Sequence, residues 1–143
     1  MTPANLCEEV SLINEGANLF AQGSFAAAQK YFWQAFQLRP NSPVVLFNLG
    51  RTMEELGDPK SIYFYEAAAA QGSTDASYQL AMIYVQDPNN KEATIRHLKL
   101  YLKKTTDTGE KYLLWAQKTL NQLEPPKPVL KLVWSKEKSN HAN

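Results

Sequence analysis

The chain is poor in the residues that most catalytic and metal sites need. Of its 143 residues, one is cysteine and two are histidine. A lone Cys7 excludes an intrachain disulfide and a thiolate metal cluster. His97 and His141 stand far apart, so no zinc set is expected. No glycine-rich phosphate loop is present. No stretch approaches the roughly 18 apolar residues of a membrane span. Charge of one sign is also missing: 15 basic against 14 acidic residues leave a net +1. A nucleic-acid binder would carry a basic surplus to neutralise phosphates. The first nine residues hold no basic region followed by an apolar run, so the expectation is a protein without a leader, in the cytoplasm.

The remaining polar candidates also read as non-catalytic. Cys7 has no base near it in sequence. Glu8-Glu9 and Glu54-Glu55 are adjacent pairs whose members point to different sides of a helix, so solvated surface is expected rather than acid–base dyads. His97 falls where a helix packs inward, and a core or half-buried histidine with a satisfied nitrogen is expected. Lys99, Lys103, Lys104 and Lys111, with Lys127, Lys131, Lys136 and Lys138 of the tail, make the C-terminal third basic, which suits the negative ends of helices, with an acidic partner or lipid surface as the alternative. No catalytic set, cofactor or metal is expected, and the chain does not read as an enzyme.

What is there is apolar residues at helical spacing, 44% of the chain. Leu6, Val10, Ile13 and Ala17 predict a first helix over Leu6–Ala21, broken at Gln22-Gly23-Ser24. Ser24 is placed to cap a second, Phe25–Leu38, ended by Pro40 and Pro43. A third is predicted from Pro43 to Leu56. After Gly57, Asp58 reads as an N-cap with Pro59 at the first helical position, giving a fourth helix to Gln71. A fifth runs from Ser73 or Thr74 to Gln86, a sixth over Lys91–Lys104 and a seventh over Thr108–Leu123. Turns this short make neighbouring helices antiparallel and leave no room for a sheet before residue 125. The expected division is a helical domain, 1–124, and a tail, 125–143. The tail opens on Pro125, Pro126 and Pro128, continues as a strand-like apolar run, Val129–Trp134, and ends polar.

The helices repeat. Gly50 follows Gly16 by 34 residues, and a period of that length means stacked helical hairpins. In the first unit Gly16, Ala28, Phe32, Ala35 and Pro40 keep a fixed frame, flanked by Leu12 and Leu19. Small residues let two helices approach, and large ones fill the space beside them. On these residues the chain resembles the tetratricopeptide-repeat family over about residues 9–123. The second unit keeps Leu46, Leu49, Gly50 and Met53, but Ser61, Tyr65 and Ala68 fit only if one turn residue is missing. Its alanine-rich end and the start of the third unit are more similar to the related Sel-one-like repeats. Successive spacings of 34, 31 and 35 through Gly16, Gly50, Ala81 and Ala116 put a fourth, incomplete unit in the seventh helix.

The resemblance implies an all-α, right-handed superhelical solenoid of about three repeats, a capping helix and an extended tail. It further implies a concave face lined by first helices. The family's groove positions fall on Val10, Ile13, Asn14 and Ala17, then on Val44, Phe47, Asn48 and Arg51, then on Asp75, Tyr78, Gln79 and Met82. Ile13, Phe47 and Tyr78 share one register and should form an apolar stripe, or else pack between units. Asn14, Asn48 and Gln79 should form an amide row beside it. Stripe and row together suit an extended peptide. Some members hold a terminal carboxylate with lysines, asparagines and an arginine. Asn48 matches one such asparagine, but Ile13, Ala17, Asp75 and Gln79 depart from the set, so that mode is not expected.

The function implied is protein–protein interaction, with a protein or peptide segment as partner and neither nucleic acid nor membrane span. The use would be as an adaptor or as a small chaperone, since small bacterial secretion chaperones with about three such repeats have similar length. The alternative is a self-assembling structural protein. Apolar Leu130, Leu132 and Trp134 should not sit in water, and could dock on the chain's own solenoid or link copies.

Overall fold

The computed structural model describes residues 2–105 and 110–127. These form seven α-helices: α1 (Pro3–Ala21), α2 (Phe25–Leu38), α3 (Pro43–Glu55), α4 (Ser61–Ala70), α5 (Thr74–Tyr84), α6 (Lys91–Lys104) and α7 (Glu110–Leu123), with a 3₁₀ turn at Pro88–Asn90 before α6. Among the described residues there is no strand. The predicted strand-like run, with Leu130, Leu132 and Trp134, lies outside them.

Local chemistry sets most boundaries. Thr2 caps α1 by accepting from the Asn5 N–H at 3.3 Å, with Pro3 at the first helical position, so α1 begins three residues before the predicted Leu6. Ser42 and Ser73 cap α3 and α5 by accepting from Val45 and Ala76. Ser24 occupies the cap position of α2 without a side-chain bond. Gly57 leaves α3 at φ +71°, a left-handed turn that lets the Asp58 N–H donate back to the Met53 carbonyl at 2.8 Å. The expected start of α4 is corrected here. Asp58 Oδ1 accepts from the Lys60 N–H at 3.0 Å and holds a separate turn through Pro59, so the helix begins only at Ser61.

The helices pair as α1/α2, α3/α4 and α5/α6, and these hairpins stack through α2/α3, α4/α5 and α6/α7. The first two hairpins each close on a glycine facing a ring. A Cβ placed on Gly16 would meet Phe32 at 2.6 Å, and one on Gly50 would meet Tyr65 at 2.7 Å. The two spacings are 16 and 15 residues, so the second hairpin is indeed one residue short in its turn. Phe32 and Tyr65 are fully buried, within a core that also takes Leu49, Met53 and Leu80. A second cluster, around Leu98, Tyr101 and Ala116, joins α6 to α7. Lys99 Nζ pairs with Glu124 Oε2 at 2.7 Å across the end of α7.

Of two further polar residues, Glu9 departs from expectation and His97 meets it, as a core histidine with one satisfied nitrogen. Glu9 is buried rather than solvated: its carboxylate meets Arg39 Nη1 at 3.2 Å, an ion pair tying α1 to the end of α2. His97 takes the ring position of the third hairpin and is 2% exposed. Its Nε2 lies 3.2 Å from Glu66 Oε1, which also accepts from the Tyr84 hydroxyl at 2.7 Å and sits 3.7 Å from Arg96 Nη2. Arg96 Nη2, which only donates, also faces Nε2 at 3.4 Å, but the shorter contact is with the Glu66 carboxylate, which only accepts and favours a proton on Nε2. The ring's Nδ1 is buried without a hydrogen-bond partner among the described residues. Only one of the two nitrogens is satisfied. Burial pushes the His97 pKa down, against the opposing pull of Glu66. Burial and the Glu66 bond push the Tyr84 hydroxyl up to about 12.

Candidate partner-binding groove

Stacking carries the first helices α1, α3 and α5, and then α7, along one side of the array, where α1, α3 and α5 each pair with their own hairpin partner and α7 packs on α6. Residues on their other side line a row of open hollows. The middle one, about 340 Å³, is walled by Phe47, Arg51, Tyr78, Gln79, Tyr101 and Tyr112, with Asp75. A second, of about 410 Å³, runs from Pro43, Val44, Phe47, Asn48 and Arg51 to the Gly72–Asp75 turn. A third lies between Phe20, Phe47, Arg51, Glu54, Glu55, Tyr65 and Gln79. All three share Phe47 and Arg51. A fourth, almost wholly apolar, lies at the N-terminal end between Val10, Ile13, Asn14, Arg39 and Val44.

The structure therefore gathers most of the predicted positions. Val44, Phe47, Asn48, Arg51, Tyr78 and Gln79 line the central row. Ile13 and Asn14 line the terminal hollow. Ala17 and Met82 are exposed and line none of the four.

The stripe is built from packed rings as well as open ones. Phe47 lies 5.8 Å from the Tyr65 ring. Tyr78 sits among Tyr101, Tyr112 and Trp115, at centroid distances of 5.2, 5.2 and 5.4 Å. It thus both packs between units and walls the hollow. Burial and the neighbouring tyrosines raise its pKa, so it presents a neutral hydroxyl. The amide row is partly spent on the protein itself. Asn48 Nδ2 donates to the Val44 carbonyl at 2.9 Å, and Gln79 Nε2 donates to the Glu54 carboxylate at 3.2 Å.

Several lining residues were not singled out from sequence. Tyr112 follows Tyr78 by 34 residues, and extending the stripe one unit into α7 finds it. Glu54 read as plain surface. It accepts from the buried Tyr65 hydroxyl at 2.5 Å, a bond between hairpin partners, and burial with this bond drives the Tyr65 pKa far up. Phe20 has no signal in the frame: its ring lies 4.1 Å under the Arg51 guanidinium, which is also 5.6 Å from the Phe47 ring. Among the described residues no group of histidine, cysteine and acidic side chains could hold a metal ion, and no helix is long and apolar enough to cross a membrane.

No family model and no curated protein matches the chain in sequence. Solved structures do match in fold. The Yersinia enterocolitica type III secretion chaperone SycD, in complex with a peptide of the translocator YopD, superposes with a TM-score of 0.66 at 16% identity, covering 80% of this chain and 90% of that one. A second structure of this type III secretion translocator chaperone gives the same score and identity over 80% and 81%. The Sgt2 tetratricopeptide-repeat domain from Aspergillus fumigatus gives 0.63 at 19% identity, covering 89% and 88%. The Sel-one-like character read into the second and third units finds no support in these likenesses. The hairpin pairing, the small-residue contacts and the superpositions agree: the chain has the all-α solenoid fold of a tetratricopeptide-repeat domain.

Proposed function

We propose that the chain is a non-enzymatic interaction module that holds an extended segment of a partner protein in its first-helix groove, as an adaptor or a small chaperone. The observation that carries this reading is the row of hollows that share Phe47 and Arg51, walled by rings and edged by polar groups. Aromatic walls supply area at low entropic cost, and polar edges fix a backbone. A fold of similar size was solved holding a peptide, that of the chaperone SycD, which adds to this reading.

The test avoids residues that hold the fold. Val44 is 52% exposed and Asn48 bonds only its own helix, so Val44→Glu with Asn48→Arg places bulk and charge in the groove without opening the core. The full chain as bait in lysate of its native cell should capture specific partners, and the double variant should lose them with helical circular dichroism unchanged. Equal capture by both would sink the groove reading.

A further inference from the structure

Arg51 stands at the meeting point of three hollows, and no carboxylate among the described residues pairs with it. It makes no hydrogen bond and no ion pair among the described residues. Its natural helix partner would be Glu54 or Glu55, three and four residues on. Glu54 is held elsewhere, by the Tyr65 hydroxyl and the Gln79 amide. Meanwhile the guanidinium is pinned on the Phe20 ring at 4.1 Å, beside Phe47. A guanidinium stacked on a ring keeps its planar fork of donors and has already lost much of its rotamer freedom. Such a group is ready to take a planar, two-oxygen acceptor.

We propose that the groove selects partner segments carrying an internal Asp or Glu side chain next to an aromatic or branched apolar residue, with the carboxylate on Arg51 and the apolar neighbour against Phe47 and Tyr78. This rests on the groove being the binding site. Three features fix the chemistry. Asp75, Glu54 and Glu55 also line the hollows, and these acids oppose a dianionic phosphate more than a single carboxylate. Arg51 lies in the middle of the row rather than at its end, so a bound chain continues past it on both sides, and the carboxylate comes from a side chain and not a terminus. The chain's own tail fits poorly: residues 128–143 carry Lys131, Lys136 and Lys138 against the single acid Glu137.

The probe is a random twelve-residue library displayed on phage with each peptide's C-terminus fused to the coat protein, so that no terminal carboxylate is free. Selected on the full wild-type chain, it should yield peptides enriched in Asp or Glu beside an aromatic or branched residue. The best peptide, resynthesised with an amidated end, should bind Arg51→Gln about tenfold to hundredfold more weakly, as expected for a lost charge-assisted pair. Arg51→Lys should recover part of that loss. Replacing the peptide's acid by its amide should cost the wild type as much and the Arg51→Gln variant nothing. If Arg51→Gln fails to fold, Arg51→Lys and the amide peptide carry the test.

Peptides without acidic enrichment, or an amide peptide that binds equally well, overturn the proposal; if Val44→Glu with Asn48→Arg still abolishes their binding, the groove reading survives. Acidic peptides that bind this blocked variant unchanged overturn both. A selection that fails here and succeeds with free C-termini overturns the assignment to an internal side chain.

Discussion

The ring of Tyr65 lies where a side chain on Gly50 would have to be, 2.7 Å from the position of its Cβ. Gly16 and Phe32 repeat the relationship in the first hairpin. Alanine is favoured over glycine in a helix by about 1 kcal/mol, but overpacking a full core costs about 1–3 kcal/mol. Tyr65 is fully buried and bonded to Glu54, so it has nowhere to go. Gly50→Ala should therefore lower stability by up to about 2 kcal/mol in urea unfolding, against the propensity trend. A stabilised variant would show that the two helices are less tightly joined.

Arg39→Ala should be costlier than its exposed position suggests. It leaves the Glu9 carboxylate, 4% exposed at its side chain, without its partner. An unpaired buried charge is strongly destabilising, and with the arginine half in water a loss on the order of 2 kcal/mol is expected. Glu9→Gln with Arg39→Ala should recover part of it. Urea midpoints of the three variants decide this.

His97 makes stability depend on pH in one definite sense. Burial lowers its pKa in the folded state, so near and below pH 6.5 the unfolded chain binds the proton more readily. Its neutral form is fully accommodated above about 6.5, and stability falls as pH drops through that value, by up to about 1.4 kcal/mol per unit. His97→Phe restores the ring of the first hairpin and removes the buried bare Nδ1. Glu66 keeps Tyr84 and Arg96 as partners. The variant should be at least as stable as wild type at pH 7.5, with the gap widening at pH 5.5. Parallel slopes between those values would contradict it.

Tyr112→Ala should loosen the end of the array before the rest. Its ring meets Tyr78 edge-on at 5.2 Å, and α7 joins the molecule chiefly through α6. Hydrogen exchange should quicken in α7 and the last turns of α6 while α1 to α4 keep their protection. A uniform change along the chain would show that the helices unfold as one unit.

How much of this was legible in the sequence depends on the range of each interaction. Proline, glycine and serine placed the helix ends because capping and φ restriction act within a few residues. Asp58 and Pro59 misled, since the same pair builds a turn as readily as a cap. The Gly16–Phe32 and Gly50–Tyr65 contacts followed from the repeat, which turns a long-range contact into a fixed spacing. Burial of Glu9 could not be seen, because it depends on Arg39 thirty residues later. Nor could the stacking of Arg51 on Phe20, which no frame position links. Tyr112 was within reach and needed only the stripe to be carried into α7.

The central claim is that the first-helix face is where a partner segment lies, and amide chemical-shift mapping tests it most directly. The full chain, labelled with nitrogen-15, would be titrated with the best library peptide. The predicted result is that shifts concentrate on Val44, Asn48, Arg51, Tyr78 and Gln79 and along the adjoining turns of α3 and α5. The second helices α2 and α4 offer a sharp contrast, since Trp33 and Tyr63 form an aromatic cluster there over the buried Phe64, with Tyr63 69% exposed. Shifts confined to that cluster, with the groove amides unmoved, would contradict the account.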